Sequence, residues 1–243
     1  MNRRSYLLLS GGALTAVAGC TGDGDGNGER TPYADSSNSY ESDSGDVVTH
    51  SFSGTGTAED DEDGDGEPTY TDTFSHSAAG PTIVEYDHDG DDTFSVWFVD
   101  ENQDRVSLGY SAVGPFEGRT IHSLDEQTLG LSVDADGDWE VSVTELPVYN
   151  TGESLPVTVE SILVDVVGPI EFSDDSDITF TFTATGGAGH TVDLFNREGE
   201  LSARVFEIED DVEDETLTAD IGGVGYILVE SGGEWELSID TAD

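Results

Sequence analysis

The sequence predicts an all-β protein: two tandem antiparallel β-sandwich modules of jelly-roll-like build, preceded by an export signal and a disordered acidic tether. Three observations predict it. Apolar and polar residues alternate with period two in segment after segment, as half-buried strands require. No stretch carries an amphipathic helical stripe. The chain also repeats itself: at an offset of 96, residues 82–143 fall on 178–239 without a gap.

The anchors of that repeat are Trp139 on Trp235 and Gly137 on Gly233. In ITFTFTAT (178–185), Ile178, Phe180 and Phe182 alternate with threonines. TFSVWFV (93–99) puts Val96 and Phe98 on one face and Trp97 on the other, and TVDLF, GYILVES and EWELSI are expected to alternate likewise. Asn196-Arg197-Glu198-Gly199 has hairpin-turn chemistry. VVTHSFSGTG (47–56) matches VTVESILVDVV (157–167) in role, which makes AEDDEDGDGEP (58–68) an acidic insertion after the first strand of the first copy. The expected division is therefore module one at 47–146, a linker at 147–156 carrying Pro147, Gly152 and Pro156, and module two at 157–243.

Two stretches have the spacing of calcium loops. In VDADGDWEVSV (133–143), Asp134, Asp136 and Asp138 surround Gly137, but the second copy has Glu230, Gly232 and Glu234 there. The oxygens are lost and the Gly-acid-Trp corner is kept, so this is a structural corner. The better candidate is DEDGDGEPTYTD, with Asp61, Asp63, Asp65 and Gly66 at loop positions one, three, five and six and Asp72 at twelve. Pro68 and the lack of flanking helices count against it, so the stretch reads as a solvated acidic loop, with calcium bound by Asp61, Asp63, Asp65 and Asp72 as the alternative. No cofactor is expected, and calcium is the one alternative to that reading.

The other chemistry is sparse. The histidines at 50, 76, 88, 122 and 190 are scattered, and His88 aligns with Ala184 while His190 aligns with Phe94. There is no HExxH pair, no glycine-rich phosphate loop with lysine and no G-x-S-x-G elbow. A catalytic carboxylate pair cannot be picked from 54 acids. Trp97, Tyr110 and Tyr149 are candidates for an exposed sugar-binding face. No catalytic residue is expected, and the chain reads as non-enzymatic.

The N-terminus places the protein. Arg3 and Arg4, followed by Ser5-Tyr6-Leu7 and a short apolar stretch, resemble a twin-arginine export signal. Val17-Ala18-Gly19-Cys20 resembles a lipobox, which implies cleavage after residue 19 and lipid on Cys20, the only cysteine. Residues 20–46, rich in Gly, Asp, Ser and Asn, then form a lipidated tether whose flexible reach is roughly 25–30 Å. The implied location is the extracellular face of the cell membrane.

Charge sets the medium and excludes one class of partner. There are 54 acidic residues, 7 basic ones, all arginine, and a formal net charge of −47. Such a surface repels nucleic acid. The Debye length falls from about 8 Å at physiological salt to about 3 Å at 1 M, so molar salt suits this chain. Acid excess without lysine resembles the proteins of extremely halophilic archaea. The repeated strand rhythm, closing on Gly-x-Trp-x-apolar-Ser, resembles the pre-peptidase C-terminal type of β-sandwich module found in exported proteins. That resemblance implies an accessory binding or structural role, with an envelope protein or glycan as partner. A calcium-dependent adhesin, a carbohydrate-binding module and an envelope hydrolase are the competing readings.

Overall fold

A computed structural model describes residues 40–42, 45–56, 68–77, 80–172, 177–187 and 189–242. Cys20, Arg3, Arg4, Asp61, Asp63 and Asp65 lie outside them. Strands run through the whole described chain and form two sandwiches. The first contains β1 (Val48–Thr55), β2 (Thr69–Tyr70), β3 (Phe74–His76), β4 (Thr82–His88), β5 (Thr93–Val99), β6 (Arg105–Val113), β7 (Phe116–His122), β8 (Gln127–Asp134) and β9 (Asp138–Glu145). Its sheets have the orders β1-β9-β4-β7 and β2-β8-β5-β6, with β3 also on β8, and all their pairings are antiparallel.

The second sandwich is made by β10 (Glu153–Ser154), β11 (Val157–Phe172), β12 (Ile178–Thr185), β13 (His190–Asn196), β14 (Leu201–Ile208), β15 (Val212–Ala219) and β16 (Gly223–Thr241). Here β11 and β16 are long enough to run through both layers. They pair from Val157↔Ile239 to Ile162↔Glu234, then shift register and resume at Val164↔Glu230. Leu163, with φ of 56°, sits at that shift. β12 and β15 extend one half of the ladder, β13 and β14 the other.

The duplication extends to the pairing. Thr69↔Val133 in the first sandwich corresponds to Asp165↔Val229 in the second at the same offset of 96. Gly54↔Trp139 corresponds to Ser161↔Trp235, where the first strand is offset by 107. The difference of 11 residues (107 − 96) is the length of the acidic insertion, and its place is between β1 and β2. The corner glycines have one physical reason in both copies. A Cβ on Gly137 would lie 2.4 Å from the Gly90 amide nitrogen, and one on Gly233 would lie 2.2 Å from the Thr185 carbonyl. Trp139 and Trp235 follow those corners and are buried. The Trp235 indole donates to the Leu163 carbonyl at 3.2 Å, so it also pins the register shift.

The expected alternation holds in β5, β12 and the second half of β16, but GYILVES departs from it. Tyr226, Ile227, Leu228 and Val229 are all buried. Tyr226 and Leu228 belong to the core of the first sandwich, together with Val164 and Val166 of β11. Ile227 and Val229 belong to the core of the second. Apolar burial on both faces explains the continuous run.

Candidate functional site

The junction between the sandwiches is held by close backbone packing and by a buried ion pair. β7 lies against β11, and a Cβ on Gly118 would come within 2.8 Å of the Val164 carbonyl. Arg119 of β7 donates through Nε to Asp165 Oδ1 of β11 at 2.5 Å. Asp165 is further held by the Ser161 hydroxyl at 3.0 Å and the Val166 amide at 2.8 Å. At the hairpin after β13, Arg197 donates to Asn150 Oδ1 of the linker at 2.6 Å.

The chain reaches this junction from its N-terminal side. The Tyr40 ring meets Tyr149 edge-on at 5.8 Å, and the Tyr40 hydroxyl donates to Glu153 at 3.2 Å. The Glu41 amide donates to Thr151 Oγ1 at 2.9 Å, and the Asn150 amide donates to the Glu41 carbonyl at 2.7 Å. Ser42 bridges Tyr149. Residues 40–42 therefore do not belong to a free tether, because their backbone is paired with the linker. The linker itself also contributes β10, which pairs parallel to β11. Beneath the clamp lies Tyr226, fully buried, its hydroxyl without a partner among the described residues. Burial pushes that hydroxyl upward in pKa, and Tyr149 and Tyr40 add to it.

Other buried charges are occupied by structural bonds. Arg204 clamps Asp193 through two hydrogen bonds of 2.8 Å. Beside them burial raises the Glu230 carboxyl, with Asp193 adding to the rise while Thr191 and Arg204 oppose it. In the first sandwich Glu145 accepts from the Ser77 amide and hydroxyl, each at 2.8 Å, and lies 3.0 Å from His50 Nε2. Burial alone would push Glu145 up, but those contacts outweigh it and hold the carboxyl below its ordinary value.

The aspartate corner is built as a backbone clasp. Asp136 Oδ2 accepts from the Asp91 and Asp92 amides at 3.0 Å, and Asp89 Oδ1 accepts from the Asp138 amide at 2.7 Å. His88 is buried behind it, 3.2 Å from Asp136 and stacked on Phe94 with centroids 4.6 Å apart. In the second sandwich the histidine moves to the facing strand: His190, buried, bonds Ser231 Oγ at 2.9 Å. Each mouth thus holds one histidine, an exchange that the alignment contains in its two opposite mismatches. Asp72 is exposed, next to Thr71, which pairs with Leu131 through its amide and hydroxyl. Among the described residues no three His, Cys, Asp or Glu side chains are grouped to hold a metal.

Two outer faces remain open. Over β4, β7 and β9 lies a cavity of about 220 Å³ lined by Glu85, Tyr86, Asp87, Glu117, Glu140 and Ser142. On the other sheet of the first sandwich, Tyr70, Ser132 and Trp97 stand in one register row, and Arg105 is stacked over the Trp97 ring at 4.4 Å. Of the three aromatics expected to be exposed, Trp97 is half-buried on this outer face. Tyr149 is buried in the junction clamp, and Tyr110 is half-buried, stacked on Phe116 at 4.4 Å.

No family model matches this chain, and no curated protein matches it. Among solved structures it is similar to the PBSX exported protein XepA, at 9% identity and a TM-score of 0.27, covering 81% of this chain and 86% of that one. It is also similar to a conserved protein of unknown function, PA5104, from Pseudomonas aeruginosa PAO1, at 10% identity and a TM-score of 0.24, covering 84% and 87%. The insecticidal delta-endotoxin Cry8Ea1 from Bacillus thuringiensis follows at 7% identity and a TM-score of 0.21, covering 65% of this chain and 43% of the toxin. Likenesses at such scores carry nothing about function.

Proposed function

We propose that this chain is a non-enzymatic, lipid-anchored surface protein of a halophile, which presents two rigidly joined sandwiches as a binding or structural element of the cell envelope. The observation that carries the reading is the clamp at Tyr40–Ser42. It fixes the end of the acidic stretch to the junction, so an anchor at Cys20 would hold both sandwiches from their midpoint and leave their outer faces available. The twin-arginine and lipobox resemblances supply the route and the anchor. The net charge of −47 fits a head bathed in molar salt.

The test is fractionation of cells expressing the full chain or Cys20→Ser. The wild type should sediment with membranes and its N-terminal peptide should carry a lipid mass. Cys20→Ser should be released into the medium as a folded protein. Equal membrane association of the two would sink the proposal.

A further inference from the structure

The charge pattern of the described arginines singles out one outer face. Arg119 pairs with Asp165, Arg197 with Glu198 and Arg204 with Asp193. Arg105 is exposed and, among the described residues, its guanidinium makes no hydrogen bond; its close contact is the face of Trp97 at 4.4 Å. In a chain with 54 acids and 7 arginines, a guanidinium set on an aromatic ring instead of a carboxylate is unexpected. A guanidinium stacked on a ring keeps its in-plane N–H fork free for a planar anion.

The surroundings narrow the anion. Tyr70 pairs with Ser132, and Ser132 with Trp97, so the two aromatics flank one serine on the same face. Ser132 lies between them in the row and is only 3% exposed. Two strand spacings separate the rings, about 10 Å, close to the length of a disaccharide. Tyr70 is 43% exposed and sits on a two-residue edge strand, where its ring is open to a ligand. Ser95 and Ser111, paired across β5 and β6, continue the face with hydroxyls. Asp134, two residues beyond Ser132 on β8 and paired with Ser95, stands on the same face; it feels the Arg105 charge but makes no hydrogen bond to it.

We infer that the Tyr70–Trp97–Arg105 face binds an acidic polysaccharide, with a uronate carboxylate on the Arg105 fork and the apolar C–H faces of adjoining sugars against Tyr70 and the edge of Trp97. The ring row gives the length and hydroxyl pattern of a glycan, the arginine gives its charge, and molar salt screens the long-range repulsion that a net charge of −47 would otherwise exert on a polyanion. A neutral sugar would leave the guanidinium unused. A peptide carboxylate would leave the ring row unused. This deepens the proposed function, and rests on it only for where such a glycan is met. Failure of binding here leaves the fractionation result untouched.

The experiment uses the full chain, solubilised in detergent and molar salt, titrated with oligogalacturonate, neutral cello-oligosaccharide and poly-glutamate of matched length. Tryptophan fluorescence and calorimetry report binding. Oligogalacturonate should bind, and Arg105→Ala should weaken it by roughly two- to fivefold, the scale of an exposed bidentate contact in high salt. Arg105→Lys should fail to restore it, and Tyr70→Ala, an exposed edge change that leaves the core intact, should weaken it in parallel. Near-UV circular dichroism establishes that each variant is folded. No binding of oligogalacturonate, unchanged binding by folded Arg105→Ala and Tyr70→Ala, or equal binding of cello-oligosaccharide or poly-glutamate would each overturn the inference.

Discussion

Arg119 of the first sandwich and Asp165 of the second form an ion pair across the module junction, with side chains 3% and 5% exposed. Salt screens exposed charges strongly and buried pairs much less, so this contact should survive the molar salt that quiets the surface. Removing one partner leaves a buried charge alone, at a cost of about 3–5 kcal/mol. Asp165→Asn and Arg119→Met should each lower the unfolding free energy by that order in denaturant titrations. The double change Arg119→Met with Asp165→Leu should recover much of the loss. A double variant as unstable as the sum of the singles would show the two side chains to act independently.

Acid should loosen the fold in two stages. Burial lowers the pKa of His122 to about 4, so the folded state holds the neutral ring. Its contribution is complete above the unfolded histidine value of about 6.5 and is lost as pH falls from there toward the folded value. Glu145 is also held below its ordinary value, so its contribution is lost at lower pH, as its carboxylate protonates. Glu230 is raised and acts with the opposite sign: its penalty is full above the folded value and eases as pH falls through it. Melting temperature against pH should flatten between about 6.5 and 4 in His122→Gln. In Glu145→Gln that region should be unchanged and the more acidic fall should flatten.

The corner glycines admit a sharp comparison. Gly233→Ala would bring a methyl group within 2.2 Å of the Thr185 carbonyl, and Gly137→Ala within 2.4 Å of the Gly90 amide nitrogen. Each should cost roughly 1–3 kcal/mol by forcing backbone to shift in a packed corner. Alanine at Gly114 meets no atom within 4 Å, yet its φ of 85° disfavours a side chain. That variant should therefore lose less than the corner variants, a difference that thermal melts of the three would display.

Dilution of salt should open the protein. With a net charge of −47 the unscreened surface repels itself, and lowering salt from molar to millimolar lengthens the range of that repulsion severalfold. Near-UV circular dichroism from buried Trp139 and Trp235 should fade in dilute buffer and return when salt is restored. A signal that persists would show that packing alone outweighs the repulsion.

Much of the fold was legible because duplication compares a sequence with itself. Gly137 with Gly233 and Trp139 with Trp235 exposed the corner, and the loss of Asp136 in the second copy separated clasp from metal loop. The length of the insertion followed from where the first strand had to lie. The junction was not legible. Arg119 and Asp165 lie in strands with no motif, and their meeting depends on how β7 packs against β11 across the junction. One signal was present in Tyr226-Ile227-Leu228-Val229, since an unbroken apolar run needs cover on both faces. The histidine exchange escaped because positional alignment compares residues, whereas a core is filled by volume from either wall. Arg105 on Trp97 depended on the register slip between Val96 and Trp97, which composition does not encode.

The clamp at Tyr40–Ser42 has a mechanical meaning. β1 is an edge strand, paired only with β9, and a pull on its free end would peel its hydrogen bonds one after another. Because the chain is gripped at Tyr149–Glu153 before it reaches β1, a pull on the chain ahead of Tyr40 is borne first by the grip, where the bonds at Thr151, Asn150 and Glu153 resist together. The grip works as strain relief on a cable: the load stops at the linker, and the seam beyond it stays closed.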